Sequence, residues 1–261
     1  VADWSEKIFV QDVAIDDVST EFGVFGIHGP SATEKVASVL NHAGAPEPEL
    51  HFDRGSMGDA GVTVAASDNP TGEDGYTIIC GADDAPGVFD TLLNHGLNAA
   101  PFGEQTWETL TVEAGTPRFE AELDGVLPNT VGARHGVDFE KGCFIGQEVV
   151  SKVKNRGRPS RRLIGLNLDD LCAPGDALYT DGDAVGEVTR AIDSPSLDTP
   201  IALAFCASDA IDGSFTVHST ATEGADGDDP DGDASGVAVD ADRAALPVVD
   251  GSATSLRCPT Y

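Results

Sequence analysis

The apolar pattern of this chain changes character at Arg161, and that change limits the folds open to it. Upstream, runs that suit strands alternate with stretches that suit helices. Residues 21–27 form an apolar run closing on Gly29 and Pro30, a strand and then a turn. Ser31 is placed to cap a helix over residues 31–41, with Val36, Val39 and Leu40 on its apolar face and Gly44 and Pro46 ending it. Residues 61–66 and 75–80 predict two strands around a Gly/Pro/Asp turn. Residues 85–95 predict a second helix, with Val88, Phe89, Leu92 and Leu93 inward and Gly96 at its end. A third is predicted over residues 103–114, stopped at Gly115 and Pro117. This order predicts an α+β sheet covered on one face. Downstream only short strands are predicted, at residues 163–168, 184–189, 201–205 and 214–218, with Gly-, Asp- and Pro-rich turns between them. Such a series forms a small barrel or sandwich.

Residues 125–160 hold many glycines and charges without a clear period and read as an ordered connecting loop. Residues 222–242 are Asp, Gly, Ala and Ser with few large apolar side chains, and predict a mobile acidic loop. Residues 246–249 are then expected to return to the barrel. The chain so divides into an α+β domain, 1–125, a connecting segment, 126–160, and a β-barrel domain, 161–261.

Charge bounds the partners. The 261 residues carry 45 acids and 15 bases, a formal net charge of −30. At that charge self-repulsion opposes a compact state in ordinary salt. Multimolar salt screens it within about 3 Å. The acids are spread along nearly the whole chain and only five residues are lysine, so a salt-accumulating halophile is the simplest source. The same balance argues against general nucleic-acid binding, which needs a basic footprint. No apolar stretch reaches bilayer length, and no charged-then-apolar leader follows Val1. A soluble, cytoplasmic protein is expected. The five cysteines contain no C-x-x-C pair and the six histidines show no metal spacing, so neither a disulfide framework nor a metal site is expected.

The most specific segment is Lys141-Gly142-Cys143-Phe144-Ile145-Gly146-Gln147-Glu148. Its glycines permit close backbone approach to a ligand, and Lys141 beside Cys143 favours a thiolate. The residues alone leave a reactive or ligand-facing Cys143 and a buried structural one equally open. Seven bases lie between 141 and 162, namely Lys141, Lys152, Lys154, Arg156, Arg158, Arg161 and Arg162, against Glu148 alone, a local net of +6. Such a patch attracts an anion, such as a glutamate tail; a solvated loop and an RNA contact are the other readings.

That segment resembles the K-G-C-[aromatic]-x-G-Q-E signature of YgfZ-type folate-binding proteins, relatives of the glycine cleavage T-protein. Leu110-Thr111-Val112-Glu113-Ala114-Gly115-Thr116-Pro117 is similar to the superfamily's L-x-x-E-A-G-x-P block. Pro70-Thr71-Gly72-Glu73-Asp74-Gly75-Tyr76 resembles its T-G-E-x-G-[aromatic] block, and residues 24–30 its strand ending in Gly-Pro. Val185-Gly186-Glu187-Val188-Thr189 is similar to the barrel's V-G-x-V-T strand, and Leu246-Pro247 through Arg257-Cys258-Pro259 to its closing strand and tail.

The resemblance implies a ring of ferredoxin-like α+β halves, its N-terminal part missing from this chain, with a C-terminal antiparallel β-barrel and a central folate cavity. Tetrahydrofolate, or a one-carbon derivative of it, is the implied cofactor. Glu113 matches the glutamate that holds the pterin ring in folate-using relatives; a carboxylate accepts two hydrogen bonds from a pterin edge. The alternative for Glu113 is a helix-end acid in solvent. Arg134 matches a ligand-facing arginine, and Glu73, Tyr76 and Lys141 are further candidates for the cavity. Cys143 is the catalytic candidate. An aspartate near the reactive folate nitrogen of the aminomethyltransferases belongs to the part that precedes residues 10–30. Two functions are then expected: folate-dependent maintenance or assembly of iron–sulfur enzymes, with iron–sulfur proteins as partners, or aminomethyl transfer to tetrahydrofolate. The K-G-C block favours the first.

Overall fold

A computed structural model describes residues 14, 16–47, 50–138, 140–143, 146–156, 159–219, 237–249 and 255–261, with backbone alone for 152–156 and 219. It divides the chain into two compact units. The first holds the chain up to Ile27 with Ala32–Ala66 and Tyr76–Ala100; the second holds His28–Ser31, Ser67–Gly75 and Pro101–Tyr261.

The strands β1 (Phe22–His28), β2 (Phe52–Met57), β3 (Ala60–Ala66) and β4 (Gly75–Gly81) form a sheet in the order β1-β4-β3-β2. Alternation sets its buried face: Val62, Val64 and Ala66 of β3 and Tyr76, Ile78 and Cys80 of β4 point into one core. The helices α1 (Ala32–Val39) and α2 (Ala85–Asn94) add Val36, Val39, Val88 and Leu92 to it. As expected, Gly96 follows α2, at φ 64°. A Cβ there would stand 2.2 Å from Ser38 Oγ, so close packing as well as backbone conformation demands glycine. Phe89 is a correction to the inward face: it is 44% exposed, its ring stacked on Phe25 at 5.8 Å.

Lys35, on the apolar face of α1, is 2% exposed. Its ammonium donates to the carbonyls of His95 (2.6 Å) and Leu97 (2.7 Å), just past the end of α2. Burial holds its pKa below the usual lysine value. A cation there also meets the negative end of the helix dipole.

The second unit carries α3 (Glu104–Glu113), a π-type turn (Phe119–Leu123), α4 (Gln147–Arg156) and six strands: β5 (Arg161–Leu168), β6 (Ala177–Thr180), β7 (Asp183–Ser194), β8 (Thr199–Ala207), β9 (Phe215–Ser219) and β10 (Val237–Ala244). The strands close into an antiparallel barrel in the order β10-β5-β8-β7-β6-β9. This bears out the α+β class with a C-terminal barrel. Strand β8 is buried on both faces. Its small residues Ala202, Ala204 and Cys206 join a core to which all six strands contribute. Its large residues Ile201, Leu203 and Phe205 face the other way, onto Val112 of α3 and Val131. A six-stranded barrel is narrow, so the small side chains lie inside.

Several sequence expectations are corrected. Residues 147–156, placed in the connecting loop, are the helix α4; Val149 and Val150 are adjacent, one 47% exposed and one buried, and set no helical stripe. Residues 237–242, placed in the acidic loop, belong to β10, where Val239 and Ala241 point inward while Asp240 and Asp242 face solvent. Residues 220–236 of that loop lie outside the described residues. Residues 246–249 return to the barrel, but on its outside rather than as a strand: Leu246 and Val248 pack against the cluster of Leu163, Ile201 and Leu203, and Val248 and Val249 donate to the Glu113 carbonyl at 2.9 and 3.2 Å. The short β2 and β6 have no sequence signal. The last stretch of the first unit ends at Ala100, and Val112 of α3 packs against β8. Among the described residues, no helix is long and apolar enough to cross a membrane.

Replacing Lys35 by Met leaves two carbonyls without their donor. Unfolding by urea is expected to show a loss of about 1–3 kcal/mol at neutral pH; a change under about 0.5 kcal/mol, the range of ordinary surface substitutions, would show that Lys35 holds nothing in place.

Candidate ligand-binding site

Glu113 ends α3 and is 7% exposed. Its carboxylate accepts from Ser194 Oγ (2.6 Å), Ser196 Oγ (3.1 Å) and Ser196 N–H (3.3 Å) at the β7–β8 turn. Side chain and carbonyl together thus tie the helix end to a barrel hairpin and to residues 248–249. Arg134 is exposed and its N–H donates to Gly132 O at 2.7 Å. Glu73 is half-buried in the turn before β4. Tyr76 is buried in the first unit, where its hydroxyl lies 2.8 Å from Thr33 Oγ1. Lys141 and Cys143 are exposed, and Phe144 and Ile145 lie outside the described residues. So do the side chains of Lys152, Lys154, Arg156 and Arg158. Arg161 and Arg162 belong to the barrel wall, their guanidiniums 4.4 Å and 4.7 Å from the ring centres of Phe205 and Tyr261.

A different set of residues converges on Arg190 of β7. It is 5% exposed and spends its donors on three partners: Glu122 Oε1 (2.9 Å), Thr111 Oγ1 (2.9 Å) and Thr116 O (2.6 Å). Glu122, fully buried on the π-type turn, also accepts the Arg118 N–H at 2.8 Å. Glu108 of α3 lies 3.6 Å from Arg190 and pairs with the Arg118 guanidinium. Arg190 sits in the V-G-x-V-T strand and Glu122 just past the E-A-G block, but nothing in the spacing marks them as partners.

Beside this network opens a cleft of about 200 Å³ lined by Pro70, Trp107, Thr111, Thr116, Arg118, Phe119, Glu120 and Arg257. The Arg257 guanidinium is held by the Asp68 carboxylate. Trp107 stacks on Phe102 at 6.2 Å and meets the tilted His28 ring at 5.1 Å. His28 Nδ1 is buried without a hydrogen-bond partner. Gly75 admits it, since a Cβ there would lie 2.4 Å from that nitrogen. Burial lowers the His28 pKa, partly offset by Asp68, which keeps the ring neutral near pH 7.

The cysteines separate by burial. Cys172, Cys206 and Cys258 are buried, their thiols pushed up to about 11 chiefly by burial, and Cys80 is raised in the same way. Such thiols are unreactive. Cys143 alone is exposed. Among the described residues, no His/Cys/Asp/Glu group could hold a metal ion.

Two family models match the chain: the GCVT N-terminal domain over residues 1–141 and the glycine cleavage T-protein C-terminal barrel domain over residues 161–250. An aminomethyltransferase of Halalkalibacterium halodurans is 34% identical over 209 residues, covering 77% of this chain and 56% of that protein. One of Bacillus licheniformis is 32% identical over 215 residues, 80% of this chain and 58% of that one. The chain thus spans little more than half the length of these curated relatives. The crystal structure of glycine cleavage system aminomethyltransferase T from Bartonella henselae is alike in fold, with a TM-score of 0.57 at 15% identity over 90% of this chain and 86% of that one.

Two outcomes are expected from this geometry. Arg190→Met strands the buried Glu122 carboxylate and should cost about 3–5 kcal/mol in denaturant unfolding, whereas adding Glu122→Leu should recover much of that loss; strictly additive costs would show the two residues uncoupled. The His28 pKa lies below its unfolded value of 6.5, so its stabilising share is complete above that pH and is lost as pH falls through the folded pKa. His28→Phe should therefore flatten the decline in stability between about pH 7 and 5; parallel wild-type and variant profiles would show a freely titrating ring.

Proposed function

Because the chain belongs to the glycine cleavage T-protein family, we propose that it binds tetrahydrofolate and serves aminomethyl transfer, in which a methylene carbon forms bonds to two folate nitrogens as its bonds to the donor's carrier atom and to the amine nitrogen break, the two folate N–H protons leaving with the carrier and with ammonia. The observation that carries this reading is the sustained likeness to proteins named aminomethyltransferases across both units. It outweighs the K-G-C block, which points to iron–sulfur maintenance. Fold alone does not fix a reaction, and the chain's own residues add support of a limited kind. The Glu113 carboxylate has the acceptor chemistry that a pterin's N–H edge would meet, but Ser194 and Ser196 already occupy it. A pterin would exchange its own N–H groups for serine donors, at small net cost if all lone pairs stay satisfied. The transfer itself asks for an acid/base or electrostatic group beside the folate nitrogen.

The second reading, folate-dependent support of iron–sulfur enzymes, keeps one favouring observation: Cys143 is exposed while the other four cysteines are buried. A single thiolate cannot hold a conventional four-ligand cluster, so its part there would be a transient or shared one.

Calorimetric titration with tetrahydrofolate in multimolar KCl tests both. Saturable binding is expected, weakened about tenfold or more by Glu113→Gln through loss of charge-assisted hydrogen bonds, and unchanged by Cys143→Ala. Absence of binding by the folded wild type would end the folate reading. Loss of methylene release from an aminomethyl donor in Cys143→Ala, with binding intact, would bring Cys143 into the transfer.

A further inference from the structure

Glu113 is 7% exposed, and its carboxylate is held by one hairpin of the barrel. A carboxylate offers about four lone-pair sites, two on each oxygen. Oε1 accepts the Ser194 hydroxyl at 2.6 Å and the Ser196 N–H at 3.3 Å, and so is full. Oε2 accepts the Ser196 hydroxyl at 3.1 Å and keeps one site. A ligand edge with two adjacent N–H groups, like that of a pterin, asks for one site on each oxygen. Such an edge must therefore displace a donor from Oε1.

The two serines are held very differently. Ser194 is 2% exposed and paired with Thr199 across the hairpin. Its hydroxyl also accepts the Leu197 N–H at 3.2 Å, and its carbonyl accepts the Asp198 N–H at 2.8 Å. Ser196 stands exposed at the tip. Both of its bonds to Glu113 are longer than that of the Ser194 hydroxyl, and its N–H lies beyond the usual span of about 2.7–3.2 Å. Water can take over the Ser196 groups once they leave the carboxylate, so the weaker partner is also the easier one to release.

We infer that residues 195–198 form a latch over Glu113 that the ligand itself opens. An arriving donor edge takes the Oε1 site of the Ser196 N–H, the tip swings away, and Ser194 stays as the anchor. The latch rests on the folate reading above and gives that site a moving part. It also selects. A ligand with a single N–H uses the site open on Oε2 and leaves the tip in place, whereas a paired edge releases it. The bonds broken on the way in hold affinity down.

Removing a bond that binding must break tightens binding. Ser196→Ala, a change at an exposed position that should fold as the parent does, is expected to bind tetrahydrofolate about three- to tenfold more tightly in multimolar KCl. A Glu113→Gln background should remove most of that gain. In the isotope-labelled parent, saturation with tetrahydrofolate should speed hydrogen exchange of the Ser196 amide, read by NMR, where a ligand packed on an unmoved tip would slow it. Equal or weaker binding by Ser196→Ala, or a Ser196 amide that the ligand protects, would overturn the latch and spare the folate reading, so long as Glu113→Gln still weakens binding. Saturable binding that ignores Glu113 would overturn the latch and put the folate elsewhere. No binding by the folded parent or by Ser196→Ala would end both.

Discussion

The interior ion pair between Arg190 and Glu122 is the constraint on which the second unit is built. Neither group can be left alone at that depth, because an isolated interior charge costs several kcal/mol. Satisfying Arg190 fixes three things at once: strand β7 that bears it, the π-type turn that bears Glu122, and the end of α3 through Thr111 and Thr116. An apolar substitute could match the packing energy. It could not impose the same register, since guanidinium donors are directional and dispersion is not. The pair thus trades stability for a single arrangement of barrel and helix.

Helix α3 is where this arrangement is read out. In ten residues it supplies Trp107 to a ring cluster, Glu108 and Thr111 to the ionic network, Val112 to the outer face of β8 and Glu113 to the hairpin serines. Its polar face is therefore held in place no less than its apolar one. That explains how acids in a chain of net charge −30 can be structural: Glu108, Glu113 and Glu122 each accept from placed donors, while most of the other acids among the described residues are exposed.

What can be seen in the sequence follows from how local the cause is. Strands β1, β3, β4, β5 and β8 and helices α1 to α3 have apolar periods and stop signals within a few residues, and are legible there. Strand β10 is not, because its inward residues include the small Ala241 and its outward ones are aspartates, which resembles disorder by composition. The roles of Arg190 and Glu122 are invisible because they arise from a pairing across 68 positions, and that of Lys35 because a lysine on an apolar helix face reads as a fault in the stripe until its carbonyl partners are known. Glu113 stands out through a family block. That block marks a residue of consequence, yet its serine partners lie more than eighty positions away and change what its carboxylate touches.

The packing of the barrel core has a consequence for where chemistry can reside. Ala202, Ala204 and Cys206 share one buried core with Leu166, Leu178 and Val217, and an added methylene on β8 would have to be met by shifts of these neighbours. A closed tube of this bore is a strut, not a vessel. Natural variation is then free to act only on what the tube carries on its outside and at its rims, so changes in ligand preference among such chains should accumulate in helix ends and hairpin tips while the staves stay nearly fixed.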